Sequence, residues 1–239
     1  MIRTIIWFTY FWTYFLFSFP KLKKAKRLKR EGKSEALEEY LTELSNKWSN
    51  NLLKLAGIEV TIKGKENLPE QSNVLFVSNH QGNFDIPILL NALNQRVAFI
   101  AKKEIKKMPF IGEWMTLVNC IFIDREDVRQ SVRAINKGAK HIKNGQAMVV
   151  FPEGTRSKDG KLNEFKAGSL KLAVKADADI IPVTIDGSIN ALKKGELIIK
   201  PAQVTLTIGQ PIILEPDERD TTVIAEKVKS IIEKNLKGD

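Results

Sequence analysis

The 239 residues hold one cysteine, Cys120, and two histidines, His80 and His141. A single cysteine excludes an internal disulfide, and with two separated histidines it offers no zinc-type ligand set, so neither a metal nor a cofactor is expected. Cys120 lies inside the apolar run 118–123, which makes core packing its expected role, and a reducing, cytoplasm-facing location is permitted. Residues 1–30 contain no acid, yet they carry Arg3, Lys21, Lys23, Lys24, Lys26, Arg27, Lys29 and Arg30. Those side chains supply most of the formal net charge of +10, and the remaining chain is nearly balanced. Nucleic-acid binding asks for a basic face on the folded domain with aromatics interleaved, so no nucleic-acid partner is expected. Charge concentrated beside a hydrophobic segment favours an anionic membrane surface instead. There is no internal repeat or low-complexity tract, and no obvious linker follows Gly57.

The hydrophobic segment, residues 2–19, is aromatic on all sides and stops at Pro20. It has no small-residue cleavage site, and its strong basic block follows the apolar stretch, which is the reverse of a cleavable signal. About 18 residues at about 1.5 Å each reach about 27 Å, slightly short of a hydrocarbon core of about 30 Å. Trp7, Tyr10, Trp12 and Tyr14 are spread along the segment, which suits the headgroup boundary better than the bilayer centre. The expectation is a helix embedded in one leaflet, in preference to a span. The protein would then be monotopic, on the cytoplasmic face of the inner or plasma membrane. Residues 21–30 place Leu22, Ala25 and Leu28 at three-residue spacing, a narrow apolar stripe able to lie on anionic lipid with the lysines outward. Residues 34–55 put Leu37, Leu41, Leu44, Trp48, Leu52 and Leu55 on one helical face, suited to a domain core or to a membrane. Residues 1–56 are thus expected to form a membrane-associated helical region ahead of an α/β domain, residues 57–239.

From Gly57 the pattern becomes short β-branched runs alternating with helical stretches. Strands are expected at 58–62, 74–78, 96–101, 119–123, 147–151, 180–185 and 204–208, and helices at 86–94, 127–143, 168–175 and 221–236. This alternation predicts a mixed, mostly parallel central sheet flanked by helices. His141, between Lys140 and Lys143 at the end of the 127–143 helix, is expected to be a solvated surface residue.

His80 and Asp85 stand five apart in Asn79-His-Gln-Gly-Asn-Phe-Asp85, between an apolar strand and a helix that starts with Pro87 in its first turn. On one continuous helix they would be separated by about 140° and could not meet, so the strand-turn-helix break is what brings carboxylate to imidazole. Asp85 would fix the tautomer and leave the outer ring nitrogen free to take a proton. The run Phe151-Pro-Glu-Gly-Thr-Arg-Ser157 follows another apolar strand, at the edge where α/β sheets place ligands. There Glu153 can accept a hydrogen bond, and Arg156 offers a planar fork suited to phosphate, although an ordinary turn with a surface ion pair has the same composition. Lys102 and Lys103 follow a third strand and Arg125 a fourth. Cations at several strand ends of one sheet would form an anion pocket beside the His-Asp pair.

In order and spacing these blocks resemble the glycerolipid acyltransferases over roughly residues 57–187. The resemblance rests on Asn79-His80 through Asp85, Cys120-Ile-Phe-Ile-Asp-Arg125, Phe151 through Ser157 and Ile181-Pro182-Val183. Ala101-Lys-Lys-Glu-Ile105 with Pro109-Phe-Ile-Gly112 is similar to the family's lysine region. It implies transfer of an acyl group from an acyl carrier protein or coenzyme A thioester to the free 2-hydroxyl of 1-acylglycerol 3-phosphate (lysophosphatidic acid). The product would be phosphatidic acid for phospholipid synthesis. By the same resemblance His80 is the general base, Asp85 its orienter, and the hydroxyl attacks directly without an acyl-enzyme. Arg125 and Arg156, with Lys102 or Lys103, would hold the phosphate, while Glu153, Gly154 and Thr155 would shape the acceptor site. The Pro182 block is linked to acyl-donor binding or packing. Gly82 stands where many members have Ser, and Cys120 opens a block often begun by Gly; neither departure removes the base, its orienter or the cations. Acylation of glycerol 3-phosphate or another lysolipid would use the same blocks. A non-catalytic peripheral membrane adaptor is the alternative from another class, and the set His80, Asp85, Glu153 and Arg156 argues against it.

Overall fold

The structure, a computed structural model, describes residues 1–69, 73–124, 127–193, 195–215 and 217–238. Seven strands, β1 (Ile58–Lys63), β2 (Leu75–Ser78), β3 (Ala98–Lys102), β4 (Ile121–Ile123), β5 (Met148–Val150), β6 (Ile180–Asp186) and β7 (Ala202–Ile208), form one sheet in the order β1-β7-β6-β2-β5-β3-β4. β2 pairs in parallel with β5 and β6, β5 with β3, and β3 with β4; β6 and β7 are antiparallel, and β1 follows β7 in parallel. The carboxyl ends of β2, β3, β4, β5 and β6 therefore share one edge of a mixed, mostly parallel sheet.

The eight α-helices among the described residues are α1 (Ile2–Phe17), α2 (Phe19–Arg30), α3 (Ser34–Ala56), α4 (Asp85–Leu93), α5 (Ile111–Leu117), α6 (Val128–Lys143), α7 (Lys171–Ala176) and α8 (Thr221–Lys237). Successive strand residues point to opposite faces, so β2 divides its side chains between two cores. Phe76 joins Val149, Ile181 and Val183 against Trp7, Leu52, Phe84, Ile88 and Leu89 of the α1, α3 and α4 side. Leu75 and Val77 join Met148, Val150 and Ile180 against Ile142, Leu172 and Val228 of the α6, α7 and α8 side. Burial on both faces explains why β2 and β5 are unbroken apolar runs in sequence.

Three elements differ from the sequence expectation. The stripe Leu22, Ala25 and Leu28 of α2 is buried inside the protein, against Leu37 and Leu41 of α3 and Leu117 of α5, and so does not lie on lipid. Packing buries the stripe and leaves the basic face of α2 outward, with Phe19 exposed at its start. α5 was not expected: seven residues beginning just after Pro109 and containing Gly112 carry too short a period to distinguish from a turn. The expected helix 168–175 divides into a 3-10 turn, Ala167–Leu170, followed by α7.

In α1 Trp7 and Phe15 are buried, and the Trp7 indole N–H donates to the Leu52 carbonyl at 3.0 Å. Its outer face exposes Ile2, Ile5, Ile6, Trp12, Leu16 and Phe17. No helix among the described residues is long and apolar enough to cross a membrane.

Candidate active site

β2 ends at Ser78, and the Asn79 side chain extends the sheet by one step. Its amide donates to the Ile185 carbonyl and its oxygen accepts from the Ile185 N–H, both at 2.8 Å. This double bond registers the end of β2 against the end of β6. His80 comes next, held by the turn after β5 on both sides of its backbone. Its N–H donates to Glu153 Oε1 at 2.7 Å, and its carbonyl accepts from the Ser157 N–H at 2.8 Å. The imidazole stacks on the Phe151 ring with centroids 4.1 Å apart and 16° between planes. With backbone and ring face both occupied, His80 has little freedom beyond its one orientation.

Asp85 is the first residue of α4 and is fully buried. Its Oδ2 lies 2.7 Å from His80 Nδ1 and accepts from the backbone N–H groups of Gln81 at 2.7 Å and Gly82 at 2.9 Å. Its Oδ1 accepts from the Ser188 hydroxyl. A carboxylate is acceptor-only, so this network assigns the proton to Nδ1 and leaves Nε2 as the basic nitrogen. Burial of a charge is tolerable here because every contact is a donor.

A cavity of about 1150 Å³ opens beside His80. Its polar wall includes His80, Asn83, Lys102, Gly154, Thr155 and Arg156, and its apolar wall includes Phe11, Phe15, Trp48, Phe99 and Trp114. Tyr14 also faces it, and burial, with Tyr10 and Tyr40 adding, pushes its hydroxyl up to about 12. Helix α1 thus closes a cavity that the sheet edge alone would leave open.

The expected cations separate. Arg156 lines the cavity, and its Nη1 donates to Asn83 Oδ1 at 2.7 Å. Lys102 also lines it and stands 3.6 Å from Glu104. The Lys103 ammonium is bound to Asp124. Arg125 lies outside the described residues. Gly154 and Thr155 are on the wall, but Glu153 is buried beneath it. Besides holding the His80 N–H, Glu153 accepts from the Asn163 backbone at 2.9 Å and side chain at 2.7 Å. It shapes the site by fixing the turn and not by facing the cavity. Cys120 is buried with its thiol pushed up to about 12, chiefly by that burial, and its sulfur accepts from the Phe99 N–H. Pro182 sits in β6, paired with Val77.

Phe151 and Asn83 lie inside the two sequence blocks that located the site but had no role of their own there, whereas Asn163 and Ser188 lie outside those blocks and were missed. For Ser188 a signal existed: it follows Gly187 at the end of a strand, the same rule that located Lys102 and Glu153.

Residues 59–186 match the family model described as Acyltransferase. A protein of Mycoplasma pneumoniae named probable 1-acyl-sn-glycerol-3-phosphate acyltransferase is 37% identical over 165 residues, 67% of this chain and 61% of that protein. The 1-acyl-sn-glycerol-3-phosphate acyltransferase of Borreliella burgdorferi is 30% identical over 185 residues, 77% of this chain and 74% of that one. The matched stretch thus spans less than two thirds of the Mycoplasma protein and about three quarters of the Borreliella one. The crystal structure of the 1-acyl-sn-glycerophosphate (LPA) acyltransferase, PlsC, from Thermotoga maritima superposes with a TM-score of 0.85 at 28% identity, covering 99% of this chain and 95% of that one.

Proposed function

The chain belongs to the acyltransferase family, and we propose that it transfers an acyl group from a thioester, carried on acyl carrier protein or coenzyme A, to the 2-hydroxyl of 1-acylglycerol 3-phosphate. The product is phosphatidic acid. The observation that carries this reading is His80, paired with buried Asp85 at 2.7 Å, on the wall of a large, mostly apolar cavity that also presents Arg156 and Lys102.

In this reaction His80 Nε2 removes the hydroxyl proton as the oxygen attacks the thioester carbonyl, and Asp85 stabilises the imidazolium through Nδ1–H. Collapse of the tetrahedral intermediate breaks the carbon–sulfur bond, and the imidazolium returns its proton to the leaving thiolate. No covalent enzyme intermediate is required. Arg156 and Lys102 hold the phosphate, Arg156 through a planar fork and Lys102 as a point charge. The apolar wall receives an acyl chain. The exposed face of α1, with Ile2, Ile5, Trp12 and Phe17, rests in one leaflet while the lysines of α2 meet anionic headgroups. Such an enzyme meets its lysolipid without extracting it.

An acceptor series tests the reading. The full chain, given one thioester donor, is expected to acylate 1-acylglycerol 3-phosphate far faster than glycerol 3-phosphate or a phosphate-free monoacylglycerol. Preference for the phosphate-free acceptor would reject it.

A further inference from the structure

Asp85 distributes its hydrogen bonds unevenly. Oδ2 takes the His80 ring and two backbone N–H groups, whereas the Oδ1 side is met by the Ser188 hydroxyl. Ser188 is itself fully buried. It lies 103 residues further along the chain and opens the 3-10 turn Ser188–Asn190 directly after Gly187. Two features deliver it to the carboxylate. Asn79 clamps Ile185 so that the ends of β2 and β6 stay in register. Gly187 then turns at φ 91°, where an added Cβ would stand 2.4 Å from the Gln203 carbonyl oxygen. The Ser188 hydroxyl has one hydrogen, and besides Asp85 its oxygen lies 3.4 Å from Gln81 Oε1. With the hydrogen on Asp85, the Gln81 amide contributes packing or, in its flipped orientation, a donor to the serine oxygen.

We propose that Ser188 is a positioning residue of the reaction, fixing the plane of the Asp85 carboxylate through the oxygen that His80 does not use. The inference rests on His80 and Asp85 acting as the base pair. Oδ2 is already held by the His80 ring and two backbone N–H groups; a further donor on Oδ1 sets the plane of the carboxylate, and with it the line along which Oδ2 meets Nδ1. Ser188 supplies that donor from the β6 flank of β2, opposite the flank where the β5 turn holds His80. The dyad is thereby gripped from both neighbouring strands, β5 through Glu153 and β6 through Ser188.

The test is steady-state kinetics on the full chain with 1-acylglycerol 3-phosphate, using S188A, S188C, S188T, D85N, D85N/S188A and H80A, each checked for a native circular-dichroism spectrum. A misplaced catalytic group costs up to about 10²-fold, so S188A is expected to lower kcat by about 10- to 100-fold, with KM for both substrates within about 2-fold of wild type. S188T restores the hydroxyl and returns kcat toward the wild-type value, while S188C, a near-isostere with a weak donor, falls between. Because the serine acts through Asp85, the S188A change on the D85N background is expected to be under about 2-fold, as coupled sites are non-additive. A wild-type kcat in S188A would overturn the inference, as would the same loss on both backgrounds. Failure of the underlying reading looks different: H80A and D85N would themselves turn over like wild type.

Discussion

Trp7 of α1 packs edge-on against Phe84, the residue before Asp85, with ring centroids 5.3 Å apart and 66° between planes. The N-terminal helix is thereby part of the support of the turn that carries His80 and Asp85. Trp7 is buried, stacks on Phe11 at 5.2 Å and donates to Leu52. Trp7→Ala removes that packing and one hydrogen bond, and is expected to lower unfolding free energy by about 3–5 kcal/mol in denaturant titration. Its kcat should fall even when assayed in detergent micelles, where membrane targeting is irrelevant. Full activity in micelles would assign Trp7 to anchoring alone.

Two glycines near the dyad should respond oppositely to a methyl group. At Gly187 the positive φ and the 2.4 Å approach to the Gln203 carbonyl leave no room, so Gly187→Ala should depress the melting temperature by several degrees, with a cost above about 1 kcal/mol. At Gly82 a Cβ would meet the Ser188 carbonyl at 3.5 Å, an ordinary contact. Gly82→Ser should therefore fold normally and keep kcat within a few-fold, and a collapse of either quantity would contradict this geometry.

The cations predict a graded effect on acceptor binding. Arg156 and Lys102 line the cavity, whereas Lys103 is paired with Asp124. Arg156→Ala and Lys102→Ala should each raise acceptor KM, by about 10-fold or more for the arginine if it makes a charge-assisted bond of about 1.5–3 kcal/mol. Lys103→Ala should raise it less. Equal acceptor KM in all variants and the wild type would remove phosphate from this wall.

His141, expected on the surface, is half-buried, and its Nε2 is buried without a hydrogen-bond partner among the described residues. Burial lowers its pKa, and the charges of Lys137, Arg96, Lys29 and Lys140 lower it further. The unfolded chain, with a histidine pKa of about 6.5, therefore takes up the proton before the folded chain does. Stability is intact above about pH 6.5 and is lost as pH falls from there toward the lower folded value. His141→Gln should flatten the decline of melting temperature between about pH 7 and 5 relative to wild type; an unchanged slope would rule out this histidine as the cause.

Much of this architecture was legible in the chain. The apolar runs that became β2 and β5 are unbroken because both faces are buried, and the break between β2 and α4 foretold that His80 and Asp85 could approach. What was not legible depends on which strands are neighbours. Ser188 reaches Asp85 because β6 lies beside β2, a fact absent from their order along the chain. Glu153 was visible as a strand-end carboxylate, but its direction depends on Asn163 and the His80 backbone arriving beneath it. The stripe of α2 reads in sequence as lipid-facing, and its burial depends on where α3 and α5 lie.

Replacing His80 tests the central claim most directly. In the acyl-transfer assay with 1-acylglycerol 3-phosphate, H80A is expected to lose about 10²–10⁴-fold in kcat, the range general base catalysis supplies, while keeping the wild-type melting curve. A folded H80A that transfers the acyl group at the wild-type rate would contradict the account.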